Sequence, residues 1–446
     1  MPPQLALAIC TIFVLWLLRL DHKQAPNVSP ALWIPTIWML LIASKPLAVW
    51  FGTAGQDIES GSPLDRAFLL VLLCLGLIVL GARRFSLSSA IEQQKWVILI
   101  LTYMLISIIW SDIPYISFKR WIRELVAVVM AFLVSSEKTP RDALQTIFRR
   151  TIYVLIPFSY ILIHYFPVYG RMYAHWSGEL MWTGVALHKN SFGRLCLLAA
   201  FFLIWTLITR GQGRSVAAVK YQNLLEAFLL TLTLWFLGGP QHNMSYSATA
   251  NVAFAAGLAA LIGLHWMKKR GILAFRRSWI VIMAVIIGYG TVTPMIGRLA
   301  IFDVSSSFGR EETLTGRAEI WSRLVPLAMD EPLLGHGFGG FWTSSSVQAI
   351  TVNEAHNGYL ETILEIGFVG LFLVSMFVLS SCGRAQRLLA HDFDWGALWI
   401  CFLLMTTVSN ITESTIVGFS GCLASVLVVV SLVLSDKKER CGTVAS

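Results

Sequence analysis

The sequence predicts an all-α fold: a polytopic integral membrane protein of about 12–13 transmembrane helices with one long extracytoplasmic loop containing short helices. Three observations carry this expectation. Apolar runs of about 20 residues, enough to cross a ~30 Å hydrocarbon core, recur from end to end. Of the 446 residues, 56% are hydrophobic and only 13% charged, against about 25% charged in a soluble domain. The Lys and Arg residues gather in alternate connections between the runs, the asymmetry that orients a membrane chain. Disordered chain, coiled coil and secreted disulfide scaffold are excluded. The net charge of +9 therefore describes topology, and no nucleic-acid partner is expected.

The runs place helices at 3–20, 30–51, 65–82, 96–111, 120–136, 151–167, 191–209, 222–239, 247–266, 278–296, 357–380, 395–411 and 416–434, within a single membrane domain, 1–446. Residues 1–20 are apolar without a basic leader or a small-residue cleavage site, and Arg19 and Lys23 follow the apolar stretch. This reads as a retained first helix with its N-terminus outside. Alternate connections hold 22 of the 34 cations, among them Arg83, Arg84, Arg149, Arg150, Arg210, Arg214, Lys268, Lys269, Arg270, Arg276, Arg277, Arg384, Lys437, Lys438 and Arg440. Those connections face the cytoplasm, and so does the C-terminus.

Two outer connections are more than turns. Residues 168–190 form a moderate loop; residues 297–355 form the long one, polar and rich in Gly and Ser. Ile320, Leu324 and Leu327, at helical spacing around Arg317 and Arg323, predict a short helix lying on the membrane surface. The seven cysteines, Cys441 among them, show no metal spacing and read as small hydrophobes. No phosphate-binding G-x-x-x-x-G-K-[ST] occurs. The run Gly335-His336-Gly337-Phe338-Gly339-Gly340 follows no strand, so it reads as a flexible or phosphate-approaching turn rather than a dinucleotide loop. Asp392-Phe393-Asp394 reads as part of a solvated cytoplasmic connection.

The informative residues lie on the outer side. Thr315-Gly316-Arg317, Glu319, Trp321 and Arg323 are followed by Pro332, the glycine run, and His356-Asn357 at a helix start, with Gly367-Phe368-Val369-Gly370 further on. Small glycines within that helix predict close approach of another helix. Trp110-Ser111-Asp112-Ile113-Pro114 precedes Ser117, Lys119, Arg120 and Arg123; His188-Lys189-Asn190 precedes Gly193-Arg194; and Ser245, Ser247 and Thr249 alternate. This set resembles the O-antigen ligase and exopolysaccharide polymerase superfamily, with 191–380 as the family core including the 297–355 loop. Ala248 stands where many ligases carry an arginine, which, with the H-K-N element, favours the exopolysaccharide branch.

The resemblance implies a membrane glycosyltransferase that needs no metal or other cofactor. Its donor would be a polyprenyl-diphosphate-linked oligosaccharide in the bilayer of the bacterial inner membrane. Its acceptor would be a growing glycan or, for a ligase, lipid A core, with the site facing the periplasm and a chain-length regulator and export complex as partners. The residues make chemical sense of this. Breaking a sugar–phosphate bond builds charge on the diphosphate, and guanidinium forks stabilise it without a metal. The attacking hydroxyl must lose a proton, for which a histidine of ordinary pKa about 6.5 is a suitable base. The expected catalytic residues are His356 and Arg317. The expected substrate-binding residues are Arg194, Lys189, Arg123, Lys119, Arg120, Asn357 and Asn190. Arg171, Arg310, His188, His336, Glu319 and Glu354 are further candidates, and Trp182 and Trp342 are candidates for stacking on sugar rings. A transporter of lipid-linked glycan would use the same outer cations for binding alone.

A reporter active only outside the cytoplasm should work when inserted within 297–355 and fail when fused after residue 434; the reverse pattern would overturn the orientation.

Overall fold

The computed structural model describes the chain except residues 26, 54–61, 84, 86, 174–177, 211–215, 240–245, 272–277, 297–310, 344–353 and 435–446. Ser245, Arg310, Cys441 and the cations Arg84, Arg214, Arg276, Arg277, Lys437, Lys438 and Arg440 lie outside the described residues. The first helices are α1 Pro3–Gln24, α2 Trp33–Ile42, α3 Leu47–Trp50, α4 Pro63–Ala82, α5 Leu87–Gln93, α6 Lys95–Ser107, α7 Pro114–Ser135, α8 Pro140–Tyr165 and α9 Pro167–Gly170. They are followed by α10 Lys189–Thr209, α11 Val216–Gly238, α12 Ala248–Lys269, α13 Ser278–Ile296, α14 Glu311–Asp330, α15 Gly358–Leu388, α16 Phe393–Ser409 and α17 Cys422–Val433.

All thirteen predicted segments contain helix, and the chain is an all-α polytopic membrane protein. Among the described residues, α1, α4, α8, α10, α12, α13 and α15 are long and apolar enough to cross a membrane, while α2, α6, α16 and α17 are shorter apolar helices. The segment predicted at 30–51 divides where Pro46 follows the end of α2, since proline disfavours helix in the residue before it. The 168–190 loop folds into α9 and a hairpin, β1 Arg171–Tyr173 against β2 Leu180–Trp182, antiparallel with Arg171 opposite Trp182.

The chain divides into two compact units. The first comprises 1–85, 129–259 and 432–446; α8 packs there against α1, α2, α10 and α11. Buried Asp21 takes Arg149 Nε at 3.0 Å and Arg150 Nε at 2.8 Å, and buried Glu226 takes Arg210 and the Tyr153 hydroxyl. These arginines belong to the set that orients the chain, so they also fasten helices. Lys45, which has no assignable role in sequence, donates to the carbonyls of Tyr169 (2.8 Å), Gly184 (2.9 Å) and Ala186 (2.6 Å) and ties down the outer loop.

The second unit comprises 86–128 and 260–431, with α15 packed against α6, α13, α14 and α16. Its 31 residues extend about 46 Å at 1.5 Å per residue, more than the hydrocarbon core requires. The helix is broken at Ile366 and Gly367, where Gly367 adopts φ +65°. The groups freed there are satisfied by the long loop folding back: His336 N donates to Leu364 O (3.0 Å), Phe368 N to Pro332 O (2.8 Å) and Val369 N to Leu333 O (3.2 Å). Tyr103 supplies the Ile366 carbonyl with a hydroxyl at 3.2 Å. Non-helical backbone within a membrane protein persists only when satisfied in this way. The glycine of the G-x-x-G element therefore admits a loop backbone, where the sequence suggested a neighbouring helix.

The glycine run is likewise a packed turn rather than a flexible one. A Cβ on Gly337 would stand 2.8 Å from the Ser107 carbonyl and from Ser111, and one on Gly339 2.7 Å from Arg120. Asp392 of the D-x-D sequence caps α16, accepting from Trp395 N.

Gly367→Ala should cost about 1–3 kcal/mol in backbone strain alone, with further loss because its Cβ would run into the Leu333 carbonyl. A lowered thermal midpoint in detergent, against an unchanged one for Gly263→Ala where space is open, checks this.

Candidate functional site

The site begins with one turn of α14. Arg317 and Trp321 are four residues apart on that helix, hence on one face. Trp321, Leu324 and Ala328 are its buried residues. The amphipathic helix expected from Ile320, Leu324 and Leu327 therefore exists, but its buried face is turned toward Trp321, and it packs against α13 and α15. Packing on two helices selects the bulkiest side chain, which a membrane surface would not require.

Trp321 Nε1 donates to the Ala355 carbonyl at 2.9 Å, and Ala355 N donates to Glu361 Oε2 at 2.7 Å. The next residue, His356, has φ +49°, and no other non-glycine among the described residues has a positive φ. Such a conformation persists where the surroundings enforce it. Asn357 then caps α15: its Oδ1 accepts from Tyr359 N (3.0 Å) and Leu360 N (2.9 Å), while its Nδ2 donates to Gly290 O (3.0 Å) and Ile411 O (2.9 Å). The structure gives this buried side chain a capping and bracing role.

The opposite wall is the turn after α16. Asn410 Oδ1 accepts from Thr415 N, Thr415 Oγ1 and Ile416 N, each at 3.0 Å. The turn presents Glu413, 3% exposed, with Oε1 3.2 Å from Arg317 Nη2. Burial pushes the Arg317 guanidinium below its usual range, and the carboxylates of Glu413 and Glu354 oppose that shift. His356 Nδ1 stands 3.0 Å from Glu354 Oε1, at ion-pair distance without hydrogen-bond alignment. Ligand atoms of Glu354, His356 and Glu413 lie within 4.8 Å of one another, a spacing a divalent cation would accept, while Arg317 already sets a positive charge against Glu413.

Of the predicted residues, the structure brings His356 and Arg317 together, with Glu354 beside them. Lys119, Arg120 and Arg123 stand on α7 in the same unit. Lys119 Nζ lies 4.5 Å from the centre of the Tyr115 ring, and Arg120 donates to the Gly339 carbonyl, bracing the glycine turn. Arg123 is exposed. Lys189, Asn190 and Arg194 open α10 in the first unit, with Arg194 Nη2 3.1 Å from Ser191 Oγ. There Gly193 meets Ser247, so the H-K-N and S-x-S-x-T elements touch. Trp342 donates to Glu361, and Trp182 packs against Trp235 with ring centres 4.8 Å apart. His336 Nε2 lies 3.1 Å from Leu327 O, and Glu319 pairs with Arg323 at the exposed surface.

Sequence reasoning missed Glu413 and Glu361. Their signal was a carboxylate within or between apolar runs, which is costly in a membrane protein and marks a function or a partner.

Glu413→Ala strands the Arg317 charge, and breaking a buried pair by removing one partner costs about 3–5 kcal/mol. The thermal midpoint should fall, and fall less for Glu413→Gln; a midpoint equal to wild type would refute the coupling.

The two motifs in this cluster lie within a recognised domain: residues 242–375, spanning α12 to α15, match the O-antigen ligase family. Over 317 residues, 67% of this chain and 67% of the relative, the sequence is 27% identical to the exopolysaccharide production protein ExoQ of Rhizobium meliloti strain 1021. Over these stretches the chain is similar to the O-antigen ligase family and to an exopolysaccharide production protein, in agreement with the resemblance carried by its motifs.

Proposed function

We propose that this protein transfers glycan from a polyprenyl-diphosphate carrier to a sugar hydroxyl at the periplasmic face of the inner membrane, extending exopolysaccharide repeat units. The observation that carries the reading is the cluster in which a half-buried arginine, a conformationally constrained histidine and two carboxylates meet: Arg317, His356, Glu354 and Glu413.

In this reading the acceptor oxygen attacks the anomeric carbon as its proton passes to the His356 imidazole. The new C–O bond forms as the bond from sugar to diphosphate breaks, and the electron pair leaves with the diphosphate. Arg317 meets the charge that develops on the leaving group, a role suited to a planar fork of donors. Glu354, beside Nδ1, orients the imidazole and stabilises it once protonated, as a carboxylate does for other histidine bases. Arg194, Lys189 and Asn190 at the start of α10 and, separately, Lys119 and Arg123 on α7 are candidates for contacts to the lipid-linked donor or the glycan.

The O-antigen ligase match over 242–375 supports a second reading, transfer of finished glycan to lipid A core or to a protein. A deletion strain that accumulates single repeat units indicates polymerisation; one that leaves polymer on its carrier indicates ligation.

Purified protein supplied with a polyprenyl-diphosphate-linked repeat unit should release polyprenyl diphosphate and lengthen the glycan. His356→Ala should lower the rate by about 10²–10⁴-fold, the usual contribution of general-base catalysis, and a chelator should leave the rate unchanged. Glycan translocation in liposomes without release of the diphosphate would refute the reading in favour of a transporter.

A further inference from the structure

Glu361 lies in the first turn of α15 and is 5% exposed. Its carboxyl group accepts three hydrogen bonds, each from a different piece of chain. Ala355 N donates at 2.7 Å, Ser414 Oγ at 3.2 Å, and Trp342 Nε1 from the far side. Two of those partners adjoin the proposed site: Ala355 lies between Glu354 and His356, and Ser414 follows Glu413. Other buried carboxylates in this unit also hold outer backbone. Glu365 accepts from Gly339 N at 3.1 Å, and Glu124 from Ser420 N at 2.8 Å and Ser420 Oγ at 2.6 Å. Neither of those spans two segments of the cluster.

Resting on the proposed transfer reaction, we infer that Glu361 is a positioning residue: its carboxyl group fixes the backbone carrying His356 relative to the turn carrying Glu413. Backbone amide, indole and serine hydroxyl all converge on its two oxygens, so three segments are tied to one side chain. The Ala355 carbonyl is held in turn by Trp321 on the helix that bears Arg317. The two contacts hold the peptide groups on either side of Ala355. Glu361 therefore sets the imidazole against both Glu413 and the guanidinium without touching substrate.

The test compares Glu361→Ala, Glu361→Gln, Trp321→Phe and His356→Ala in full-length purified protein, with a polyprenyl-diphosphate-linked repeat unit as donor. Glu361→Ala and Trp321→Phe should lower kcat, by up to about a hundredfold for a misplacement near 1 Å, with donor KM unchanged. Glu361→Gln keeps an oxygen for the Ala355 amide and the Ser414 hydroxyl but turns its NH₂ toward the Trp342 indole N–H, a donor that it cannot accept from, so it should restore part of the rate lost in Glu361→Ala. If Glu361→Ala does not assemble, a lowered kcat at unchanged donor KM in both Glu361→Gln and Trp321→Phe supports the inference, and wild-type kcat in both overturns it. Wild-type kcat in both Glu361→Ala and Trp321→Phe, a loss confined to KM, or no rescue by glutamine overturns it. An inactive His356→Ala beside fully active Glu361 and Trp321 variants refutes the positioning role alone. An active His356→Ala refutes the transfer reading on which it rests.

Discussion

The backbone N–H and C=O of Ala355 are both held by side chains, and the site of the second unit depends on that grip. The N–H goes to Glu361 and the C=O to the Trp321 indole. Buried backbone groups outside helices must find such partners, and here both partners are side chains of helices that also shape the cluster. The left-handed backbone at His356 takes the chain out of any regular ladder, and these two contacts, with the Asn357 cap that follows, set the backbone from which the imidazole projects. Arg317, one helical turn from Trp321, is registered to the histidine through the same contact.

Scarcity of charge gives each buried ion a defined place. A charge near mid-bilayer costs about 2.5–3.5 kcal/mol on insertion scales, so a carboxylate inside a helical bundle persists where donors converge on it. In the second unit Glu361, Glu365 and Glu124 collect backbone and side-chain donors from the outer segments and bind loops to helices. In the first unit Asp21 and Glu226 collect arginines and fasten the helices that carry them. The broken α15 follows the same logic in backbone form: the interruption at Gly367 is stable because residues 332–336 and Tyr103 occupy the exposed peptide groups.

Several particulars were legible before the fold was known. The apolar runs located the helices because membrane-crossing length is a property of local sequence. The T-G-R and A-H-N elements pointed to Arg317 and His356, which prove to lie in one cluster despite standing on opposite sides of the long loop's glycine turn. Periodicity located the amphipathic helix of α14, and contact with α13 and α15 shows that Trp321, Leu324 and Ala328 form its buried face among the described side chains. Arg120 looked like a free outer cation, and only the position of Gly339 shows what it braces.

By itself the sequence determined the class of protein and its helical segments, since hydropathy is written within short windows. Tertiary structure decided the pairing of Arg317 with Glu413, the role of Glu361 and the admission of loop backbone at Gly367. Each of these joins positions far apart in the chain, or turns on which neighbour reaches a group first. Hydrogen-bond satisfaction is a property of the packed whole, so no local window contains it.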